Sequence, residues 1–229
     1  RQITRQLYGG DSLLRLQQEI ILGIGGVRAL RAAGLTPQVW HINEGHAAFQ
    51  IVERVRELVV SGLVFDAAIE VVAANTVFTT HTPVSAGHDV FDRELILNHF
   101  RTLMPELAIS EESFLALARE SDAHSGFNMT RLALSGSRHV NGVSRLHGQV
   151  TSKICAGAWP EVPAAENPVG YVTNGVHVPT FMQKEWSDLL EQNLGPSWRY
   201  QITDRELLGK IEDIPDGRFW YVNQQVKAA

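Results

Sequence analysis

A histidine followed by a threonine at the end of a buried strand places an imidazole and a hydroxyl where a ligand can reach them. His81 and Thr82 stand in such a place, inside the stretch Asn75–Phe91, NTVFTTHTPVSAGHDVF. Val77, Phe78 and the threonines suit a pleated surface. Pro83, the Ser85-Ala86 pair and Gly87 cannot continue a central strand. The strand is therefore expected to end near His81. In open α/β sheets, the crevice outside the carboxyl ends of strands is where ligands bind. Taken alone, His81 also reads as a satisfied histidine in a turn.

Two further clusters have the same character. His41, Asn43, Glu44 and His46 crowd the turn between a short strand, QVWHIN, and a helix beginning near Ala47. One reading is a capped helix, with Asn43 and Glu44 satisfying free backbone N–H groups; the other is the wall of a site. A zinc site of the His-Glu-x-x-His kind needs both histidines on one helical face, and the spacing of His41 and His46 does not give that. Asn174 follows a third short strand, Gly170–Thr173, and the adjacent Gly175 is expected to turn the chain so that the Asn174 amide faces a cleft. A metal hydrolase built on His41, His46, His81, His88 and Asp89 is the remaining alternative from the residues alone.

The elements that must hold these clusters follow from periodicity. Asp11 or Ser12 caps a helix carrying Leu13, Leu16, Ile20, Ile24, Val27 and Leu30 at helical spacing, closed by Gly34 and Pro37. A phosphate-cradling glycine loop needs a preceding strand. Gly23, Gly25 and Gly26 instead lie late in the helical pattern and imply close helix packing. Phe49, Val52, Val55 and Val59 form the stripe of the next helix. Two helices, 91–100 and 110–121, are separated by Pro105, with Glu111 and Glu112 favourably placed in the first turn of the second. The spacing of Val140, Val143, Leu146, Val150 and Ile154 predicts a helix over 138–154. A loop follows over 155–168, then the strand at Gly170, then helices at 183–194 and 204–211, the latter capped by Thr203. The order is an α/β pattern with a parallel sheet. The three polar strand ends would then share one edge.

Bulk properties narrow the class. Of 229 residues, 44% are hydrophobic and 20% charged, as in an ordinary globular protein. The net charge of −5, without a run of Lys or Arg, argues against a nucleic-acid surface. Cys155 is the single cysteine, which excludes an internal disulfide and fits a reducing cytoplasm. The apolar region 58–78 is broken by Asp66, Glu70 and Asn75, unlike a membrane span. The start without Met and the sparse tail 223–229 suggest a piece of a larger protein.

Four longer motifs then become informative together. HINEGHAAF, TVFTTHTPVSAGHDVF, FNMTRLALSGSRHVNGVSRLHG and YVTNGVHVPTF, with QLYGGD and LGIGGVRAL before them, resemble in that order the central part of the bacterial α-glucan (glycogen/maltodextrin) phosphorylases of the shorter type. The resemblance runs from about Arg5 to Thr180 and less distinctly beyond.

It implies part of a two-domain glycosyltransferase type B (Rossmann-like) fold: residues 1–180 the later part of the N-terminal domain, 181–229 a helical crossing towards a C-terminal cofactor domain. It implies phosphorolysis of an α-1,4-glucan to glucose 1-phosphate, with pyridoxal 5'-phosphate as cofactor, in a cytoplasmic enzyme, and a homodimer is among the assemblies it allows. By position, His81 is the catalytic candidate, its backbone carbonyl facing positive charge on the glucosyl centre. Asn174, Val143, Glu44 and His46 would bind or wall the sugar. Phe181 stands where many relatives carry a Trp beside the cofactor. Lys153, Lys184, Lys210 and Lys227 match no Schiff-base motif, so the isolated chain is expected to be inactive and to hold no cofactor covalently. The resemblance brings no metal. A phosphorylase-like module binding glucan or a partner without chemistry is the alternative.

Overall fold

The structure is a computed structural model and describes residues 3–5, 10–84, 88–119 and 126–228. Gln6 to Gly9 of the QLYGGD motif, the Ser85-Ala86-Gly87 breaker and the expected helix end at Ser121 lie outside these residues. The chain divides into two compact units, Arg1–Asn174 and Gly175–Ala229. The division falls six residues before the boundary expected at residue 180.

The first unit opens with helix α1 (Ser12–Ile20), whose cap Asp11 accepts the Leu14 N–H at 2.9 Å. One π turn, Ile21–Gly25, carries it into α2 (Gly26–Ala32). Gly34 closes α2 at φ +72°, and the Leu35 N–H reaches back to the Leu30 carbonyl at 2.9 Å. Gly23 lies against the next helix: a Cβ there would sit 2.8 Å from both the Gln50 nitrogen and the Phe49 Cβ. Close packing therefore accounts for Gly23, whereas a Cβ on Gly25 would meet its nearest atom only at 3.9 Å and one on Gly26 would meet nothing within 4 Å.

Strand β1 (Trp40–Asn43) leads through a 3-10 turn, Gly45–Ala47, into α3 (Phe49–Val60), then α4 (Phe65–Ala74) and β2 (Thr76–Thr79). Phe49, Val52 and Val55 are buried as their spacing requires. Glu53 is buried between them. It is held by Arg28 at 2.8 and 3.0 Å and by Arg56 at 3.0 and 2.7 Å, which ties α2 to α3.

Short strands β3 (Val90–Phe91) and β4 (Phe127–Asn128) pair antiparallel. Between them run α5 (Arg93–Phe100), α6 (Met104–Leu107) and α7 (Glu111–Ala116), with Pro105 in the first turn of α6. Four phenylalanines close a cluster here. Phe49–Phe100, Phe100–Phe114, Phe114–Phe127 and Phe49–Phe127 have ring centroids 4.7, 5.2, 5.5 and 6.0 Å apart. These offset and tilted contacts suit the ring quadrupoles. The chain continues through α8 (Met129–Ser135), capped by Asn128.

The helix expected over 138–154 is not one helix. His139–Gly142 is strand β5, and α9 (Arg145–Ile154) starts only after Ser144, whose hydroxyl accepts the His147 N–H at 3.1 Å. Val140 is buried from the sheet, while Leu146 is 71% exposed. The apolar spacing was helical by coincidence. The Gly142–Ser144 turn interrupts it, and sheet pairing of Val140 with Phe78 and Val169 takes over. Strand β6 (Val169–Tyr171) completes a parallel sheet of order β1-β2-β5-β6. The parallel, helix-flanked sheet is the expected class, with one more strand than the sequence suggested.

The second unit is helical. It contains α10 (Val178–Phe181), α11 (Lys184–Leu194), α12 (Arg205–Gly209) and α13 (Asp216–Ala228). Leu189, Leu190, Leu194, Trp198, Ile214 and Val222 form its core. The cap of α12 is Asp204 rather than Thr203. Its carboxylate accepts from Glu206 and Leu207 N–H at 3.0 and 3.1 Å, a stronger acceptor set one residue later. Residues 223–228 of the sparse tail belong to α13. No described helix is long and apolar enough to cross a membrane.

Candidate active site

Parallel pairing puts the carboxyl ends of β1, β2, β5 and β6 on one sheet edge, where Glu44, His81, Val143 and Asn174 follow their strands. Glu44 comes directly after β1. Its N–H donates to the Thr79 carbonyl at 2.9 Å, which extends the β1–β2 ladder. Its carboxylate accepts from the His81 N–H and from the hydroxyls of Thr80 and Thr82 at 3.2 and 3.1 Å. Glu44 therefore does not cap the following helix. The carboxylate fixes the three residues after β2 instead. Its backbone sits at φ +61°, ψ 175°, a region that costs a non-glycine residue about 1–3 kcal/mol. Gly45 is needed for a different reason: a Cβ there would lie 3.0 Å from the Met129 Cβ on α8.

His41 is consumed by the sheet. Its Nε2 lies 2.7 Å from the Thr79 hydroxyl, which in turn donates to Asn141 Oδ1 at 3.0 Å. The hydroxyl has one proton, so it accepts from His41. This ladder crosses β1, β2 and β5 and takes His41 out of the set of candidate ligands.

His46 belongs to a charged cluster with Arg15, Glu19 and Asp89. Arg15 places one guanidinium nitrogen 2.8 Å from His46 Nδ1 and 2.9 Å from Asp89 Oδ2. Its Nε lies 3.0 Å from Glu19 Oε1. That contact lacks hydrogen-bond alignment, and both buried Glu19 oxygens are left without a hydrogen-bond partner. Burial first, and then the Asp89 carboxylate, push the Glu19 carboxyl up to about 9. Burial would also raise Asp89, but the Arg15 guanidinium, by hydrogen bond and by charge, outweighs it and holds Asp89 below its usual range. Ligand atoms of Glu19, His46 and Asp89 all lie within 4.8 Å of one another. The Arg15 guanidinium already supplies the positive charge at the centre of that group, which speaks against the metal-hydrolase alternative.

Val143 and Asn174 meet directly. The Asn174 N–H donates to the Val143 carbonyl at 3.1 Å, and the Val143 N–H donates to His147 Nδ1 at 3.2 Å. Val143 can thus offer a ligand only the second lone pair of its carbonyl. Asn174 is exposed, and Gly175 does not adopt a positive φ, so the sharp turn expected there is not made by that glycine. Phe181 belongs to the second unit, where it is 79% exposed. His177, also in that unit, has its Nδ1 2.6 Å from the Thr180 hydroxyl.

Arg15, Glu19, Thr80 and His147 were not singled out by sequence reasoning. For Glu19 a signal existed: it lies three residues after Leu16, on the buried face of α1, where a carboxylate is out of place. A cavity of 690 Å³ beside Arg145, Gln149, Lys153 and Tyr171 contains none of the strand-end residues named above.

With this geometry in hand, the carbohydrate phosphorylase family profile matches residues 31–229. The chain belongs to the carbohydrate phosphorylase family. It is 40% identical over 227 residues to maltodextrin phosphorylase of Thermococcus litoralis, covering 99% of this chain and 27% of that protein. It is 39% identical over 242 residues to glycogen phosphorylase of Mycobacterium tuberculosis, covering 100% and 27% respectively. Against glycogen phosphorylase of Aquifex aeolicus the identity is 35% over 221 residues, covering 96% and 32%. The chain thus spans 27% to 32% of the length of these relatives.

Proposed function

We propose that this chain forms one wall of the catalytic cleft of a cytoplasmic α-1,4-glucan phosphorylase, which transfers a terminal glucosyl unit to inorganic phosphate and releases glucose 1-phosphate. The observation that carries the proposal is a continuous hydrogen-bond path along the strand ends. It runs from Glu44 to residues 80–82, and through His147 to Val143 and Asn174. Together with the family assignment, it joins the candidate residues into one surface.

In this reading the His81 carbonyl faces the positive charge that develops as the glucosyl–oxygen bond breaks, the counterpart of an oxyanion hole. Glu44 fixes that segment by holding the His81 N–H. The Asn174 side chain, able to donate and accept together, binds a sugar hydroxyl. His46 forms the neighbouring polar wall with Arg15 and Asp89. The rest of the two-domain glycosyltransferase type B fold supplies the opposite wall, and its C-terminal domain follows the second unit described here. Exposed Phe181, Trp220 and Tyr221 offer that remainder, or a second subunit, apolar surface.

The cofactor proposed for the whole enzyme is pyridoxal 5'-phosphate. This chain does not provide its covalent anchor. Lys153, Lys184, Lys210 and Lys227 are all exposed, whereas a Schiff-base lysine is activated by desolvation or a cationic neighbour. Phe181 is the residue of this chain placed to pack beside that cofactor, with Phe standing where many relatives carry Trp.

The test is phosphorolysis of maltodextrin by the full-length protein, with glucose 1-phosphate as the measured product. Asn174→Ala should lower kcat/KM by a factor equivalent to about 1–3 kcal/mol, with loss in kcat as well as KM. No glucose 1-phosphate from a folded, cofactor-loaded wild type would overturn the function. Unchanged kcat/KM in a normally melting Asn174→Ala protein would remove Asn174 from the site.

A further inference from the structure

Helix α9 approaches the sheet unusually closely at its first turn. A Cβ on Gly142 would lie 2.8 Å from both the Gly148 nitrogen and His147 Nδ1, and one on Gly148 would lie 3.0 Å from the Gly170 carbonyl oxygen. Two glycines thus let α9 sit against β5 and β6, and that approach delivers the half-buried His147 ring to the strand ends.

Both ring nitrogens are then engaged. Nδ1 is 3.2 Å from the Val143 nitrogen, whose N–H points at it, so Nδ1 is the acceptor and carries no proton. Nε2 is 3.1 Å from the Thr82 carbonyl oxygen, which can only accept, so Nε2 carries the proton. One state meets both demands: the neutral imidazole protonated at Nε2. A proton on Nδ1 would oppose the Val143 N–H.

We infer that His147 is a positioning residue of the phosphorolysis site, a strut in a fixed tautomer that holds the His81 segment at a set distance from Val143 and Asn174. The inference rests on the function proposed above. Residues 80–82 are gripped from both sides, by the Glu44 carboxylate at the Thr80 and Thr82 hydroxyls and the His81 N–H, and by His147 at the Thr82 carbonyl. The His81 carbonyl lies between these two grips. On the far side, Val143 is fixed through its N–H by His147 and through its carbonyl by Asn174. A backbone carbonyl has no rotamer of its own, so its aim depends wholly on such grips, and small misplacement at a reacting centre is expensive.

The test uses the full-length enzyme labelled with ¹⁵N-histidine. Long-range ¹H–¹⁵N correlation should show His147 with an unprotonated Nδ1 and a protonated Nε2. His147→Phe should lower kcat for maltodextrin phosphorolysis at least about tenfold with little change in KM, because the geometry of the transition state is lost before ground-state binding. His147→Gln keeps one acceptor and one donor and should recover part of that loss. A His147→Phe enzyme with kcat within twofold of wild type, or a ring protonated at Nδ1, would overturn the inference. If His147→Phe does not fold, the His147→Gln kinetics and the wild-type tautomer decide. Absence of phosphorolysis in the wild type would defeat the proposed function, while the tautomer would still report on the strut.

Discussion

Arg15 and His46 meet through one guanidinium nitrogen and one imidazole nitrogen, 2.8 Å apart. A guanidinium only donates, so His46 Nδ1 accepts. The same Nδ1 is 3.4 Å from Asp89 Oδ2, and one nitrogen cannot accept from Arg15 and donate to Asp89 at once. The shorter contact decides, and Asp89 takes its proton donor from Arg15 at 2.9 Å. Helix α1 thereby holds His46 and Asp89 from outside the sheet. Arg15→Met preserves the stem that packs on α1 but leaves Asp89 beside Glu19 without its cation. We expect a loss of about 1–3 kcal/mol, read as a shift of the urea midpoint with an unchanged slope. A midpoint equal to wild type would mean that solvent replaces Arg15 at no cost.

Glu19 makes the stability of this corner depend on pH. Its folded-state pKa, about 9, lies above the unfolded value near 4.5. The folded state therefore binds the proton more tightly. The associated stability is complete below the unfolded pKa and is lost as pH rises towards the folded one. Asp89 has the opposite sign, being held low, and acts only at acid pH below this window. Glu19→Gln removes the titration but keeps the shape. Between about pH 5 and pH 8, stability of the wild type should fall relative to Glu19→Gln by on the order of 4 kcal/mol. Parallel stability curves for the two proteins across that range would show that Glu19 ionises normally.

The glycine run at the π turn gives a paired test of packing. Gly23→Ala must push a methyl to 2.8 Å from the Gln50 nitrogen and the Phe49 Cβ, whereas nothing lies within 4 Å of a methyl on Gly26. Both residues are helical. Gly23→Ala should therefore destabilise by about 1–3 kcal/mol through overpacking. Gly26→Ala should stabilise by about 0.5–1 kcal/mol, because alanine loses less chain entropy in a helix. Thermal melts of the two variants should move in opposite directions. Movement in the same direction would remove the close contact as the reason for Gly23.

These cases show what could be read from the chain and what could not. The strand at Val77, the helix stripe from Phe49 and the packing role of Gly23 were legible because each depends on local period or on a residue type with few uses. The region 138–154 reads as one helix because its apolar residues fit a helical spacing, while the deciding event is lateral: Val140 pairs with neighbours 62 and 29 residues away in sequence, Phe78 and Val169. The quartet of Phe49, Phe100, Phe114 and Phe127 is invisible for the same reason. At the candidate site, His81, Glu44 and Asn174 are legible as polar residues at strand ends. Arg15 and His147 carried no such signal, because their partners are distant in sequence, whereas Glu19 carried one as a carboxylate on the buried face of an amphipathic helix. At the Glu44-Gly45 step the positive φ belongs to Glu44 and not to the glycine.

That inversion at Glu44 separates stability from activity. The backbone at φ +61°, ψ 175° is nearly confined to glycine, so Glu44 holds it only because the carboxylate is fastened to Thr80, His81 and Thr82 and the N–H to Thr79. Glu44→Ala loses the fastening and keeps the strain. Glu44→Gly loses the fastening and relieves the strain, so it should be more stable than Glu44→Ala by about 1 kcal/mol or more. Both release the His81 segment, so in the full-length protein both should lose at least about tenfold in kcat. Melting curves beside phosphorolysis kinetics separate the two effects. A Glu44→Gly enzyme with wild-type kcat would show that the His81 segment keeps its place without the carboxylate. Equal melting of the Gly and Ala variants would show that the Glu44 backbone relaxes once its side chain is gone.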